Sequence, residues 1–225
     1  MKKKFLIIAL VIISLCGCTK SLPKPTLSEG LRGELGIDKN INEETIDEYL
    51  GREDSVYYDM RMLVDTAHYE NIGGDSYLSG FVKGFEVLPY PYLAPVEGLP
   101  EEVGDPYKGK TLFSKNDLEE SWAGEYIANY EESMDILEYF FPKDKYIFLM
   151  CGGGGYAGMT KKLLVSLGWD KDKIYDVGGY WYYKGKNNIN IKNEELNSYD
   201  FWKLNYHNID FDSLHEVGAE WKKYY

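Results

Sequence analysis

The sequence predicts an α/β fold: a central, mainly parallel sheet flanked by helices on both faces. Three observations carry this. Lys145 to Met150 (KYIFLM) is a short, continuous apolar run of the kind that fills a buried strand. A glycine-rich loop follows. Then Met159, Leu163, Leu164 and Leu167 recur at helical spacing, and Gly168 stops that helix. Lys173 to Val177 (KIYDV) reads as a second strand. Strand, loop, helix and strand in this order form a β-α-β unit, so the two strands should run parallel. At 225 residues with 44% hydrophobic and 28% charged side chains, the chain can bury a substantial core.

The remaining elements follow in chain order. Asn42 to Leu50 suits a helix with acidic residues in its first turn. Ser55 to Asp59 (SVYYD) suits a short buried strand, and Val82 to Leu88 another. Residues 64–80 are polar and loop-like. Tyr90 to Lys110 holds four prolines and three glycines and reads as a long surface loop. Leu118 to Phe141 should contain one or two helices. Leu214, Val217 and Trp221 share helical spacing, so residues 186–225 are expected to pack back as an appended helix. The 21 tyrosines read as composition bias and packing material.

The first residues read as an address. Lys2, Lys3 and Lys4 precede a run from Phe5 to Leu15 that is apolar except for Ser14. Eleven residues are too few for a helix to cross about 30 Å of hydrocarbon, but they suit a secretory signal. Leu15-Cys16-Gly17-Cys18 resembles a bacterial lipobox. That resemblance implies cleavage before Cys18, lipid on Cys18, and attachment outside the cytoplasmic membrane. An ordinary signal peptide or an uncleaved anchor is the alternative. The expected organisation is a signal over 1–17, an anchor and tether over 18–40, and one domain over 41–225. Cys151 is then the only free thiol. Loss of three lysines takes the net charge from −12 to −15, which disfavours nucleic acid as a partner.

Cys151 ends the clearest strand and is followed by Gly152, Gly153, Gly154 and Gly155, then Tyr156 and Ala157. Glycines let main-chain N–H groups turn toward one point, and the helix N-terminus adds partial positive charge. A thiol at such a nest is expected to have a lowered pKa and to act as a nucleophile. The alternative is an inert buried cysteine beside a turn.

These residues resemble the rhodanese family. Its domains place a catalytic cysteine after a buried strand, in a six-residue loop that opens a helix; here Cys151 to Tyr156 match. Leu167-Gly168 and KIYDVGGYW match the helix end and the following strand. Asp59-Met60-Arg61 resembles the family's Asp-x-Arg strand end, and Gly80 to Pro89 a conserved-length segment of it. The resemblance spans most of residues 43–185. It implies a rhodanese-like fold and a sulfurtransferase: Cys151 takes a sulfane sulfur from a small donor, holds it as a persulfide, and passes it to a thiol acceptor. The residues Gly152 to Ala157 would bind substrate, and no cofactor is implied. Phe81 stands where the family has His, and Tyr156 where many thiosulfate-using members have a cation. Lys161 and Lys162 read as a solvated helix face. Asp59 and Arg61 are expected to tie strand ends together near the site, and Trp181 and Tyr182 either to wall the pocket or to pack in the core. Insertions follow Arg61 and Pro89.

Other readings remain. Gly153, Gly155 and Gly158 after a strand, with Asp176 further on, satisfy a dinucleotide fingerprint. Against it, only about seventy residues follow the loop. A cysteine phosphatase would need an arginine at the end of the loop, where Tyr156 and Ala157 stand. A catalytically inactive binding module of the same family is the third alternative. His68, His207 and His215 are scattered without ligand spacing, so no metal is expected. The Tyr/Trp-rich stretch 122–140 reads as helix packing.

Overall fold

A computed structural model describes residues 21–26, 36–116 and 124–218. Cys18, the lipobox, Leu118 to Trp122 and Trp221 lie outside the described residues. No helix among the described residues is long and apolar enough to cross a membrane.

Four strands build the centre: β1 (Ser55–Asp59), β3 (Glu86–Val87), β6 (Tyr146–Cys151) and β7 (Ile174–Gly179). They lie in the order β3-β1-β6-β7, and every neighbouring pair is parallel. The expected β-α-β unit is therefore present, with α3 (Gly155–Ser166) as its crossover. The central strands are buried along most of their length, as a parallel sheet requires. Alternation sends one set of side chains to each face. Tyr57, Phe148 and Tyr175 stand side by side across three strands and stack, with ring centroids 4.9 and 4.8 Å apart. Here tyrosine serves as packing material.

The two faces are covered differently. Helices α1 (Tyr90–Leu93), α2 (Ser133–Phe140) and α3 bury Tyr90, Leu93, Leu137, Leu163 and Leu164 against the face carrying Tyr58, Ile147 and Leu149. On the other face Ile41, Ile46, Tyr49 and Phe85 pack over the aromatic ladder. That face carries a single 3-10 turn, Ile46–Glu48, in place of the expected helix over Asn42 to Leu50. Local side-chain bonds compete with the helix there. Asp38 accepts from the N–H groups of Asn40 and Ile41, and Thr45 from that of Asn42. Among the described residues, α-helices thus flank one face only.

Several other expectations are corrected. The segment Val82 to Leu88 is two strands, broken by a turn at Lys83 and Gly84. β2 (Gly80–Val82) pairs antiparallel with β8 (Asn188–Asn190), while β3 joins the central sheet. The supposed surface loop after Tyr90 opens as helix α1, with Tyr90, Leu93 and Ala94 buried. Pro91 sits in its first turn, where a missing N–H costs nothing. In the stretch expected to hold one or two helices before Phe141, α2 is the helix among the described residues, and β5 (Tyr126–Ala128) pairs with β4 (Phe113–Lys115) ahead of it. The C-terminal stretch forms no α-helix among the described residues, only the 3-10 turns Phe201–Lys203 and Phe211–Ser213. It makes the small pair β9 (Lys192–Asn193) and β10 (Ser198–Tyr199), then runs beside Tyr130, exchanging bonds from Glu131 to His215 and from Val217 to Asn129. Main-chain pairing with a distant segment overrides the helical spacing.

Candidate active site

The carboxyl ends of β1, β6 and β7 meet beneath a cavity of about 560 Å³. Cys151 is the last residue of β6 and pairs with Gly179. The register of β6 and β7 shifts between Leu149 and Met150, where Gly178 takes a φ of +97°. Past the shift Gly179 meets the cysteine loop closely: a Cβ there would lie 2.5 Å from the Gly152 carbonyl oxygen. Only a residue without a side chain allows that approach.

After Cys151 the chain turns sharply. Gly154 adopts the left-handed region at φ +95° and caps α3. Its main-chain N–H points at Cys151 Sγ, with the nitrogen 3.0 Å away, and the N–H of Ala157 also reaches that sulfur. The nest read from the glycines is present, yet its expected electrostatic effect is not. Cys151 is 2% exposed. Burial pushes its thiol up to about 12, and the carboxylates of Asp176 and Asp59 add to this, against the opposing pull of the Ala157 and Gly154 N–H groups. Desolvation outweighs the nest.

The structure brings most of the expected site residues together. Gly152, Gly153, Gly155, Tyr156 and Arg61 line the cavity with Cys151. Asp59 is fully buried beside it and holds Arg61 through Oδ2–Nη2 at 2.5 Å and Oδ1–Nε at 2.9 Å. Arg61 Nη2 also donates to the Gly80 carbonyl at 2.7 Å, and the guanidinium lies 4.4 Å over the Tyr180 ring. This pair ties the ends of β1 and β2 together, as expected. One atom escapes: Arg61 Nη1 is buried with no hydrogen-bond partner. Trp181 lines the cavity, where its ring lies against Gly152 and Gly153, and its Nε1 is likewise buried without a partner. Tyr182 is half exposed and does not line the cavity.

Lys161 departs from the sequence reading. It is buried, and desolvation lowers its pKa against the pull of Asp176 and Asp38. Lys162 lines the cavity, with Nζ 2.6 Å from Glu125. Asp176, the acid of the dinucleotide fingerprint, is fully buried in β7, accepts from the Gly178 N–H, and does not line the cavity. No group of three His, Cys, Asp or Glu side chains gathers around one point among the described residues. His207 instead meets Glu86 and His215 meets Glu132.

Sequence reasoning missed the cavity wall. The insertion after Arg61 contributes Asp65, Tyr69 and Asp75; the one after Pro89 contributes Tyr90, Leu99 and Tyr126. Tyr156 donates to Asp65 Oδ2 at 2.9 Å and accepts from Tyr69 at 2.9 Å. These contacts span 87 and 91 positions of sequence, and no local pattern announces them.

Fold and site define an α/β protein with a four-stranded parallel sheet and a cavity floored by one thiol. No family model, no curated protein and no solved structure matches the chain.

Proposed function

We propose that this chain is a rhodanese-like sulfurtransferase, held outside the cytoplasmic membrane by lipid on Cys18. The observation that supports it best is the placement of Cys151. Its sulfur floors the cavity at the carboxyl end of a central parallel strand, with a glycine loop and a helix N-terminus directed at it. This is the position from which a nucleophile meets a ligand in an open parallel sheet.

In the proposed cycle Cys151 loses its proton and Sγ attacks the outer sulfur of a small sulfane donor. The new S–S bond forms as the donor's own bond to that sulfur breaks, and the electron pair leaves with the donor remnant. A thiolate acceptor then attacks the outer sulfur of the Cys151 persulfide, and the electron pair of the broken bond returns to Sγ. Main-chain N–H groups of Gly154 and Ala157 stabilise negative charge at both steps. With the thiol held at about 12, only a small thiolate fraction reacts near neutrality. Loading should therefore accelerate about tenfold per pH unit between pH 7 and 10.

The test is intact mass of the full chain in detergent after exposure to thiosulfate or to a polysulfide, then to cyanide. A gain of one sulfur that cyanide removes, and that Cys151→Ser abolishes, supports the reading. Absence of loading by either donor across that pH range refutes it and leaves a binding module.

A further inference from the structure

The cavity above Cys151 has room for far more than one sulfur atom. At about 560 Å³ it falls within the range of about 300–1,000 Å³ typical of sites for organic molecules. Part of its wall is a continuous run of rings. Trp181 meets Tyr69 at a centroid distance of 5.5 Å, Tyr69 meets Tyr156 at 6.4 Å, and Tyr156 meets Tyr90 at 5.8 Å; all four line the cavity.

The charges around it are unequal. Both lining cations are already paired: Arg61 is held by Asp59, and Lys162 Nζ lies 2.6 Å from Glu125. Of the three lining carboxylates, Glu97 meets Lys115, while Asp65 and Asp75 form no ion pair among the described residues. Their donors are uncharged. Asp65 accepts from the Ala67 N–H and the Tyr156 hydroxyl, and Asp75 from the Tyr77 N–H. Burial pushes the Asp65 carboxyl up against those hydrogen bonds, as it does where no cation stands beside a carboxylate. The hydroxyl chain runs the same way. Tyr69 donates to Tyr156 and Tyr156 to Asp65, so the Tyr69 oxygen has only lone pairs left for a ligand. An entering anion meets uncompensated negative charge, in a chain whose net charge is −12. A cation meets two carboxylates together with rings whose quadrupoles attract positive charge.

We infer that the cavity binds an organic cation: an ammonium head drawn by Asp65 and Asp75, on a small apolar body that packs among Tyr69, Tyr90, Tyr156 and Trp181. On the sulfur-transfer reading this ligand is the acceptor, a thiol that carries an ammonium group. That assignment alone rests on the reading; the binding stands on the rings and the charges.

Calorimetry on the full chain in detergent tests it with benzyltrimethylammonium, the neutral benzyl alcohol and the anion benzenesulfonate. The cation should bind about tenfold tighter than the alcohol, and the sulfonate weakest of the three. Asp75→Asn keeps the acceptor for the Tyr77 N–H and removes the charge, and it should weaken cation binding about threefold or more without altering alcohol binding. Asp65→Asn should weaken it further. Location is read separately: the indole N–H resonance of Trp181, assigned through Trp181→Phe, should move when the cation is added. Alcohol or sulfonate binding as tightly as the cation, a Trp181 resonance that stays in place, or wild-type affinity in Asp75→Asn would each overturn the inference. The two readings fail separately. Sulfur loading without cation binding removes the ligand class alone, and cation binding without loading removes the transfer chemistry alone.

Discussion

Two glycines of the same loop region should respond in opposite directions to one added methyl group. At Gly179 a Cβ would stand 2.5 Å from the carbonyl oxygen of Gly152, 2.9 Å from Gly153 Cα and 3.0 Å from Gly153 C. All three are main-chain atoms, so no side chain can rotate away. Relief requires moving β7 from β6 or displacing the cysteine loop by several tenths of an ångström. Overpacking of this kind costs about 1–3 kcal/mol, which is a drop of about 5- to 150-fold in the folded-to-unfolded ratio. At Gly155 a Cβ meets nothing within 4 Å, and the residue opens α3 with ordinary helical geometry. Ala there should stabilise by about 0.4–1 kcal/mol through reduced freedom of the unfolded chain. Urea unfolding of Gly179→Ala and Gly155→Ala measures both. Iodoacetamide labelling of Cys151 adds a local readout, because a displaced loop moves the Gly154 N–H from the sulfur it now meets at 3.0 Å. If Gly179→Ala unfolds at the same urea concentration as Gly155→Ala, with unchanged labelling, the close approach of β7 to the loop is wrong.

Asp59→Asn removes one of the two carboxylates that hold the Cys151 thiol up and leaves the Arg61 charge unbalanced in a buried site. It should destabilise by about 3–5 kcal/mol, while the molecules that remain folded alkylate faster at pH 8; equal rates in variant and wild type would contradict the placement of that charge. Stability should also fall in alkali. The unfolded thiol loses its proton near its ordinary value of 9.0 whereas the folded one keeps it to about 12, so between these the folded state binds more protons and rising pH favours unfolding. Burial of Tyr58, Tyr90 and Tyr156 pushes the same way. Cys151→Ser should recover about 2 kcal/mol of the loss at pH 10.5, read by urea unfolding at pH 8 and 10.5; an identical pH slope in the variant would show that Cys151 is not desolvated.

What the sequence made legible was local. Tyr146–Cys151 and Ile174–Gly179 announce themselves as unbroken apolar runs because both faces of a central parallel strand are buried. Helix α3 shows its spacing and its glycine stop. The Cys151 loop stands out because four successive glycines are costly unless the backbone needs them. Apart from the missing helix over Asn42 to Leu50, where local side-chain bonds compete, the failures share one cause, which is pairing between distant segments. The stretch from Leu214 has helical spacing, but the Val217 N–H donates to the Asn129 carbonyl and the His215 carbonyl accepts from the Glu131 N–H. Lys161 sits among helix-forming residues that look solvated, yet it is covered on the side facing Asp176 and Asp38. Tyr69, Asp65 and Tyr156 join across about ninety positions, and no window of sequence holds all three.

The error about the thiol carries the most information. The nest was read correctly: the Gly154 N–H meets Sγ, and α3 begins at Gly155. Composition could not reveal how completely the fold buries that sulfur. That burial reverses the expected shift, because a main-chain N–H or two offsets less than full desolvation of a thiolate costs. The two insertions wall the cavity with Tyr69, Tyr90 and Tyr126. Cys151 is kept protonated on the floor of that cavity. Chemistry there should depend on which ligand enters, more than on the thiol's reactivity in the empty protein.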